Sequence, residues 1–274
     1  MQSTDQSATE PALHESSGTI ASYLDIGEVK IHYKARGAGE QVLLLHGWGA
    51  SIESWGPVFD GLANSYRVVA IDFPGHGKSG LPPGAWGVPE YTDCLLLIMD
   101  ALGLQHPHII AHSFGGRMTI RLAKFHPDRV NKIVLVDSAG IRPPRPAKYY
   151  FKTGAAKTGK FLAKYGGSLG KAIRTFIYSR IASKDYANAG PLRDTFVKVV
   201  NDDQTELLPH IQSPALLVWG ADDQDTPLAS AKIMQRLIPN ASLVVLQNAG
   251  HFSYLDQPNK FNLIVRKFLR ESGK

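Results

Sequence analysis

Cysteine is almost missing from this chain of 274 residues, which has one, Cys94. A single thiol excludes an internal disulfide and any metal site built from several cysteines of one chain. Cys94 falls on one helical stripe with Tyr91, Leu95, Ile98 and Leu102. An apolar stripe at helical spacing predicts a buried core residue rather than a reactive thiol.

Long apolar runs are missing too. No run approaches the roughly 20 residues that span a bilayer, and the polar stretch from Met1 to Ser17 lacks the apolar centre of a signal peptide. We therefore expect a cytoplasmic protein without a membrane span. Apolar residues make up 43% of the chain and charged residues 20%, which excludes a disordered or fibrous class. No pattern of interleaved basic and aromatic residues indicates a nucleic-acid partner.

Acidic residues are scarce in one segment. Residues 141–200 contain 13 Lys or Arg and two acids, Asp185 and Asp194, so the local balance is +11 and the rest of the chain carries −5. Such a segment is most often the solvated face of surface helices, but it would also suit an anionic substrate or an acidic partner protein. The charge alone does not choose between these two interpretations.

Short, continuous apolar runs dominate the remaining sequence, and each ends at a polar residue or glycine. They lie at residues 42–45, 68–71, 107–111, 133–136, 215–219 and 243–246, with helical patterns between most of them. Continuous runs are typical of strands that are covered on both faces. The alternation predicts an α/β fold with a mostly parallel, doubly wound sheet. A strand-like stretch from Ile20 to Lys34, broken at Gly27, predicts a hairpin before it.

Residues 141–210 interrupt this alternation. They contain no strand-like run, they begin and end with prolines, and their middle shows helical patterns. Because the segment is too long for a structureless loop in a compact domain, we expect a helical cap inserted into the fold. The predicted organisation is a flexible tail over 1–18, a core over 19–140 and 211–274, and the cap over 141–210.

Ser113 stands where a predicted strand turns into a predicted helix, in the sequence Ala111-His112-Ser113-Phe114-Gly115. The pattern resembles the nucleophile elbow G-x-S-x-G, with Ala111 in the place of the first glycine. A sharp turn of this kind exposes the serine hydroxyl at the carboxyl end of the strand. The alternative is an ordinary serine at the start of a helix.

A serine hydroxyl becomes a nucleophile when a base accepts its proton and a carboxylate orients that base. Among ten histidines, His251 directly follows the predicted strand 243–246, and an acidic loop containing Asp222, Asp223 and Asp225 follows the strand 215–219. In a parallel sheet, both positions lie at the same edge as Ser113. The order along the chain is therefore serine, acid, histidine.

Together these pieces resemble the α/β-hydrolase superfamily, from about Ile20 to Lys274. The matching stretches are Leu45-His46-Gly47-Trp48-Gly49, Asp72-Phe73-Pro74-Gly75-His76-Gly77-Lys78-Ser79, the elbow at Ser113, Trp219-Gly220-Ala221-Asp222-Asp223 with Pro227, and Gly250-His251. The resemblance implies an α/β-hydrolase fold and a catalytic triad of Ser113, Asp223 and His251. It implies no metal and no organic cofactor.

In the pattern of that family the acid stands three residues after the glycine and four before the proline, which selects Asp223. Asp225, Asp222 and, after the preceding strand, Asp137 remain alternatives. The resemblance also implies an oxyanion hole made by the backbone N–H groups of Trp48 and Phe114.

Three other histidines near these motifs are expected to be structural. His46 is expected to pack behind the oxyanion loop, and His76 belongs to a turn that braces that loop. If the alternation of the strand continues, His112 points away from the site.

The leading functional hypothesis is a hydrolase of small-molecule carboxylic esters that acts through an acyl-enzyme. Three alternatives remain: a hydrolase of carbon–carbon bonds in ring-fission products, an esterase for acyl groups on an acidic carrier protein, and a non-catalytic ligand-binding receptor. Against the carbon–carbon hydrolases, Phe252 follows His251 where those enzymes usually have tryptophan.

Overall fold

The computed structural model of the protein describes residues 18–141 and 188–271. Its strands are β1 (Ile20–Ile26), β2 (Val29–Arg36), β3 (Gln41–Leu45), β4 (Arg67–Ile71), β5 (His108–His112), β6 (Ile133–Val136), β7 (Ala215–Gly220) and β8 (Ala241–Leu246). The α-helices of these residues are α1 (Gly56–Leu62), α2 (Val88–Ala101), α3 (Phe114–Phe125), α4 (Arg193–Asn201), α5 (Leu228–Leu237), α6 (Ser253–Asp256) and α7 (Pro258–Arg270).

The eight strands form one sheet in the order β1-β2-β4-β3-β5-β6-β7-β8. The β1–β2 hairpin turns at Gly27, whose φ is +56°, and β2 pairs antiparallel with β4. Every other pair is parallel. The predicted hairpin and the predicted mostly parallel α/β sheet are therefore confirmed.

Apolar side chains leave the sheet on both faces, which explains why the strands read as continuous apolar runs. In β3, Leu43 and Leu45 pack into a cluster with residues of α2, α3 and α5, whereas Val42 and Leu44 pack on the opposite face with residues of α1, α6 and α7. Both clusters are largely inaccessible to solvent, and burial of this kind stabilises the fold by roughly 25 cal/mol per Å² of apolar surface. Cys94 lies in the first cluster at 4% exposure, as predicted.

The register of the parallel strands brings their carboxyl ends to one edge. Leu45 pairs with Ala111, Val136 pairs with His112 and Val218, and Gly220 pairs with Leu246. The residues that follow these strands therefore gather at the same edge of the sheet, where ligands bind in open α/β folds.

The predicted tail, apart from Gly18, and residues 142–187 of the predicted cap lie outside the described residues. The described end of the predicted cap, residues 188–210, contains α4 between two 3₁₀ turns, Gly190–Leu192 and Thr205–His210. Helix α4 is tied to the core because the Trp86 N–H donates to Thr195 Oγ1 at 3.1 Å. None of the described helices has the length and apolar character that crossing a membrane requires.

Candidate active site

Ser113 occupies a sharp turn between β5 and α3. Its backbone has φ 47° and ψ −106°, a conformation that a residue with a Cβ rarely adopts. The neighbouring Gly115 allows this turn, since a Cβ there would lie 2.6 Å from the Leu45 carbonyl oxygen, and its N–H donates to the His46 carbonyl at 3.2 Å. Ala111 is fully buried within β5, so its methyl group is accommodated where the family pattern has glycine.

The three predicted triad side chains are in hydrogen-bond contact. His251 Nε2 lies 3.0 Å from Ser113 Oγ, and His251 Nδ1 lies 3.0 Å from Asp223 Oδ2. A neutral imidazole that donates Nδ1–H to the carboxylate presents the Nε2 lone pair to the hydroxyl. The fold thus joins residues that are 138 and 28 positions apart along the chain into one line.

Asp223 is held by more than His251. Its Oδ1 accepts the N–H groups of Asp225 and Thr226 at 2.8 and 3.0 Å, and its Oδ2 lies 2.7 Å from Thr226 Oγ1. The carboxylate is therefore oriented by its own loop before the imidazole contact is counted.

The pKa values of this pair move apart. Burial alone would lower the pKa of His251, but the hydrogen bond and charge of Asp223 outweigh it and raise that pKa above its usual value. Burial would likewise raise the pKa of Asp223, but hydrogen bonds from His251 and Thr226 lower it. Asp223 is thus a carboxylate at neutral pH, and the imidazolium that would form during proton transfer is stabilised.

The other candidate acids occupy different positions. Asp222 and Asp225 are exposed. Asp137 is completely buried, and its carboxylate accepts the backbone N–H groups of Gly220 at 2.7 Å and Ser253 at 3.1 Å. Burial raises the pKa of Asp137 to about 7. Of these acids, Asp223 is the one whose carboxylate hydrogen-bonds to His251.

The direction expected for His112 is wrong. Its side chain packs against the imidazole of His251, with ring centroids 4.8 Å apart, and His112 Nε2 lies 2.7 Å from the His251 carbonyl oxygen. The reason is that the chain after His251 forms α6 on the face of the sheet towards which His112 points. Burial and the neighbouring His251 lower the pKa of His112 to about 3, so the neutral ring donates Nε2–H to that carbonyl.

His46 and His76 lie behind the proposed oxyanion loop, as expected. His46 uses both ring nitrogens, since Nδ1 lies 2.7 Å from the Gly47 carbonyl oxygen and Nε2 accepts the Phe73 N–H at 3.0 Å. His76 packs against Trp48 and Phe114, with ring centroids 4.8 and 5.6 Å away. Burial lowers the pKa of both histidines, so both rings are neutral and serve in packing and hydrogen bonding.

The two N–H groups proposed for the oxyanion hole belong to Trp48, after β3, and to Phe114, which directly follows Ser113. Neither N–H donates to a carbonyl or side chain elsewhere in residues 18–141 and 188–271. The two side chains pack edge to face at 5.3 Å, and Phe196 of α4 contacts the Trp48 ring at 5.1 Å. The side chains of Trp48, Phe114 and Phe196 therefore form one aromatic cluster that includes the residue after Ser113.

Asp223, Asp225 and His251 also bring possible metal ligands within 4.8 Å of one another. In this arrangement, however, His251 Nδ1 is committed to Asp223 and Nε2 to Ser113. The contact between acid and base accounts for the grouping without a cation.

Backbone strain is concentrated at the same edge. Among the described residues, three other than glycine have a positive φ: Ser113, Asp137 and Asn248, at 47°, 44° and 56°. Each one follows a strand, β5, β6 or β8. Such conformations persist where surrounding contacts hold them, and they are common at functional sites.

Two contributors to this geometry were not identified from the sequence. Thr226 contacts Asp223, but the only sequence feature that distinguishes it is its position before Pro227. The sequence offers Asp137 as an alternative acid but gives no sign that it binds two loops, because its partners are backbone N–H groups.

A mostly parallel α/β sheet, with a serine at a sharp strand–helix turn and an acid–histidine pair at the same edge, is the arrangement typical of α/β-hydrolases. The family model of the α/β-hydrolase fold matches residues 41–258, and the chain belongs to that family. Its relatives include hydrolases of several bond types.

Two curated relatives and one solved structure illustrate this range. The chain is 27% identical to the dihydrolipoyllysine-residue acetyltransferase component of the acetoin cleaving system of Cupriavidus necator, over 96% of this chain and 73% of that protein. It is 30% identical to a 2-hydroxy-6-oxononadienedioate/2-hydroxy-6-oxononatrienedioate hydrolase of Dechloromonas aromatica, over 98% and 99%. A meta-cleavage product hydrolase structure from Pseudomonas fluorescens superposes with a TM-score of 0.69 at 25% identity, covering 89% and 96%.

Proposed function

We propose that the protein is a serine hydrolase that cleaves carboxylic esters through an acyl-enzyme formed on Ser113. The observation that carries the proposal is the hydrogen-bonded line from Ser113 Oγ through His251 to Asp223, with both distances at 3.0 Å. This geometry meets the requirement that nucleophile and base lie within hydrogen-bond reach while a third group orients the base.

In the first half of the reaction, Ser113 Oγ bonds to the ester carbonyl carbon while its proton passes to His251 Nε2. His251 then gives that proton to the departing alkoxide, and the alcohol leaves. In the second half, water loses a proton to His251 and its oxygen attacks the acyl carbon. The carboxylic acid product leaves and Ser113 Oγ takes back the proton from His251. No cofactor takes part.

Charge on the tetrahedral oxygen would be stabilised by the N–H groups of Trp48 and Phe114. Each such donor is worth about 2.7–4 kcal/mol of transition-state stabilisation in a well-studied serine protease. The aromatic cluster of Trp48, Phe114 and Phe196 would exclude water beside these donors and favour an apolar acyl or alcohol group.

Hydrolysis of a carbon–carbon bond next to a ketone is the second candidate. The hydrolase of Dechloromonas aromatica and the meta-cleavage product hydrolase structure favour it by name. The same nucleophile would attack a ketone carbonyl, and His251 would supply the proton to the departing carbon. Phe252, where these enzymes usually carry tryptophan, weighs against it.

Acyl groups on a carrier are a further possibility for the same acyl-enzyme. The acetyltransferase relative acts by name on a dihydrolipoyllysine residue, and a thiol can replace water or an alcohol in either half of the mechanism. The basic segment that would suit an acidic carrier falls largely on residues 142–187, outside the described part of the chain.

A fluorophosphonate probe tests the proposed serine hydrolase function directly, because it reacts covalently with an activated serine. Wild type is expected to be labelled, Ser113→Ala to lose labelling, and Ser54→Ala to keep it as a matched control. A folded wild-type protein that resists the probe would contradict the proposal and favour a ligand-binding receptor.

A substrate panel then separates the candidates. p-Nitrophenyl esters of increasing acyl length, an acyl thioester and a ring-fission dienoate are compared for wild type and Ser113→Ala. We expect the esters to be turned over fastest. Turnover of the dienoate with failure on every ester would instead select the carbon–carbon hydrolase.

A further inference from the structure

Asp137 lies at the end of β6, between the strand that leads to Ser113 and the strand that leads to Asp223. It makes no contact with the reacting atoms in the scheme above, yet it is completely buried and its backbone is left-handed. A buried carboxylate requires partners. Its two oxygens accept one backbone N–H each, from Gly220 and from Ser253.

These two partners belong to different loops. Gly220 stands three residues before the acid Asp223, and Ser253 stands two residues after the base His251. A single carboxylate therefore joins the loop of the acid to the loop of the base. The distances of 2.7 and 3.1 Å both lie within the range of N–H···O hydrogen bonds.

The backbone of Asp137 adds a third link. Its carbonyl oxygen lies 2.9 Å from Thr226 Oγ1. The same hydroxyl is 2.7 Å from Asp223 Oδ2 and 3.3 Å from His251 Nδ1. Thr226 thus lies between Asp137 and the acid–histidine contact itself.

We propose that Asp137 is a positioning residue that holds the loops of Asp223 and His251 at the separation that their hydrogen bond requires. The proposal rests on the serine-hydrolase function proposed above. It assigns to Asp137 a role other than that of an alternative triad acid, because its oxygens bind backbone N–H groups rather than the imidazole. Thr226 extends the same link to the acid.

Asp137→Asn tests the role with little change of shape. The amide retains one acceptor oxygen, but its nitrogen cannot accept the second N–H. The matched charge control is Asp225→Asn. Both negative charges raise the pKa of His251, but Asp225 is exposed and contacts Asp223 through its backbone N–H. The control therefore removes a charge while it preserves the links between the loops.

The rate is measured on p-nitrophenyl esters at a pH well above the acid limb and divided by the number of sites that the fluorophosphonate titrates. Loss of folded protein then does not count as loss of rate. We expect Asp137→Asn to lower kcat per titrated site by roughly 10- to 100-fold with little change in KM, because small misplacements of catalytic groups have effects of this size. Asp225→Asn should stay within about threefold. Equal losses in both variants, or no loss in Asp137→Asn, would overturn the proposal.

Thr226→Val keeps the test decisive if Asp137→Asn fails to fold. Thr226 is half-buried and uncharged, and valine preserves its shape while it removes the hydroxyl link. We expect kcat per site to fall about fivefold, on the scale of one hydrogen bond, and to recover in Thr226→Ser. A valine variant as fast as wild type would count against the proposal.

An NMR signal reports on the Asp223–His251 hydrogen bond without any measurement of turnover. The His251 Nδ1 proton, bonded to Asp223, should give a low-field NMR resonance in wild type and Asp225→Asn that is weakened in Asp137→Asn and Thr226→Val. If wild type is not labelled by the probe, the proposed function fails while this resonance still decides the positioning role. A resonance unchanged in both variants would refute that role alone.

Discussion

Replacing Asp223 with asparagine should nearly abolish turnover while the fold is kept. The carboxylate is 4% exposed and accepts four hydrogen bonds, two of them on Oδ1 from the backbone of its own loop. An asparagine side chain can keep those two bonds by placing its oxygen there. Its NH₂ then faces His251 Nδ1, where Oδ2 had accepted a proton.

This substitution changes the tautomer of the His251 imidazole. With a donor opposite it, Nδ1 becomes the acceptor and the ring proton moves to Nε2, 3.0 Å from Ser113 Oγ. A protonated Nε2 cannot remove the hydroxyl proton. The same exchange in a serine protease lowers kcat by about 10⁴, which corresponds to about 5.4 kcal/mol in the activation free energy. We expect a loss of that order here.

The assay is steady-state hydrolysis of a p-nitrophenyl ester, normalised to folded protein by circular dichroism and thermal unfolding. Asp222→Asn is the matched control, since its side chain is exposed on the same loop, and it should retain nearly full activity. If Asp223→Asn keeps more than about a tenth of wild-type kcat, or if Asp222→Asn loses as much, the assignment of the acid is refuted.

Three further predictions concern pH, reactivity and packing. Because the pKa of His251 is raised and its neutral form is the base, kcat/KM should fall as pH decreases through a value above 6.5; a limb below 6 in a rate–pH profile would contradict this. Cys94 is buried and burial raises its pKa to about 12, so a disulfide reagent should modify it only in denaturant, and rapid reaction of the native protein would disprove its core position. A Cβ at Gly220 would lie 2.1 Å from the Gly250 carbonyl oxygen, whereas one at Gly56 meets nothing within 4 Å. Gly220→Ala should therefore lower the free energy of unfolding in urea by about 1–3 kcal/mol, and Gly56→Ala should not; equal stability of the two would argue against the close approach.

Much of the sheet is predictable because its physical cause lies in the sequence. Runs such as 42–45 and 133–136 are apolar at every position since both faces of the sheet are covered. The ends of these runs mark the edge of the sheet where polar residues gather. The spacing and order of the runs therefore predict that Ser113, Asp223 and His251 lie close together. The position of β4 outside β3 has no such signal, because apolar runs do not state their neighbours.

The parts that escaped prediction depend on contacts between distant segments. The direction of His112 depends on where α6 packs, and the contacts of Asp137 depend on which backbone N–H groups the folded loops present. Thr226 has no distinguishing pattern of its own. A carboxylate such as Asp137, which binds backbone groups rather than side chains, therefore has no partner that a sequence motif could show.

The left-handed backbone of Ser113 has a thermodynamic consequence for the protein as a whole. A residue with a Cβ held at φ 47° and ψ −106° raises the free energy of the native state by about 1–3 kcal/mol, a sizeable share of the 5–15 kcal/mol that typically separates folded from unfolded domains. Glycine would relieve that strain, so an inactive Ser113→Gly protein should melt at a higher temperature than the enzyme. Under the proposed function, Ser113 is then a position where selection for reactivity opposes selection for stability, and the difference in melting temperature measures how strongly they oppose each other.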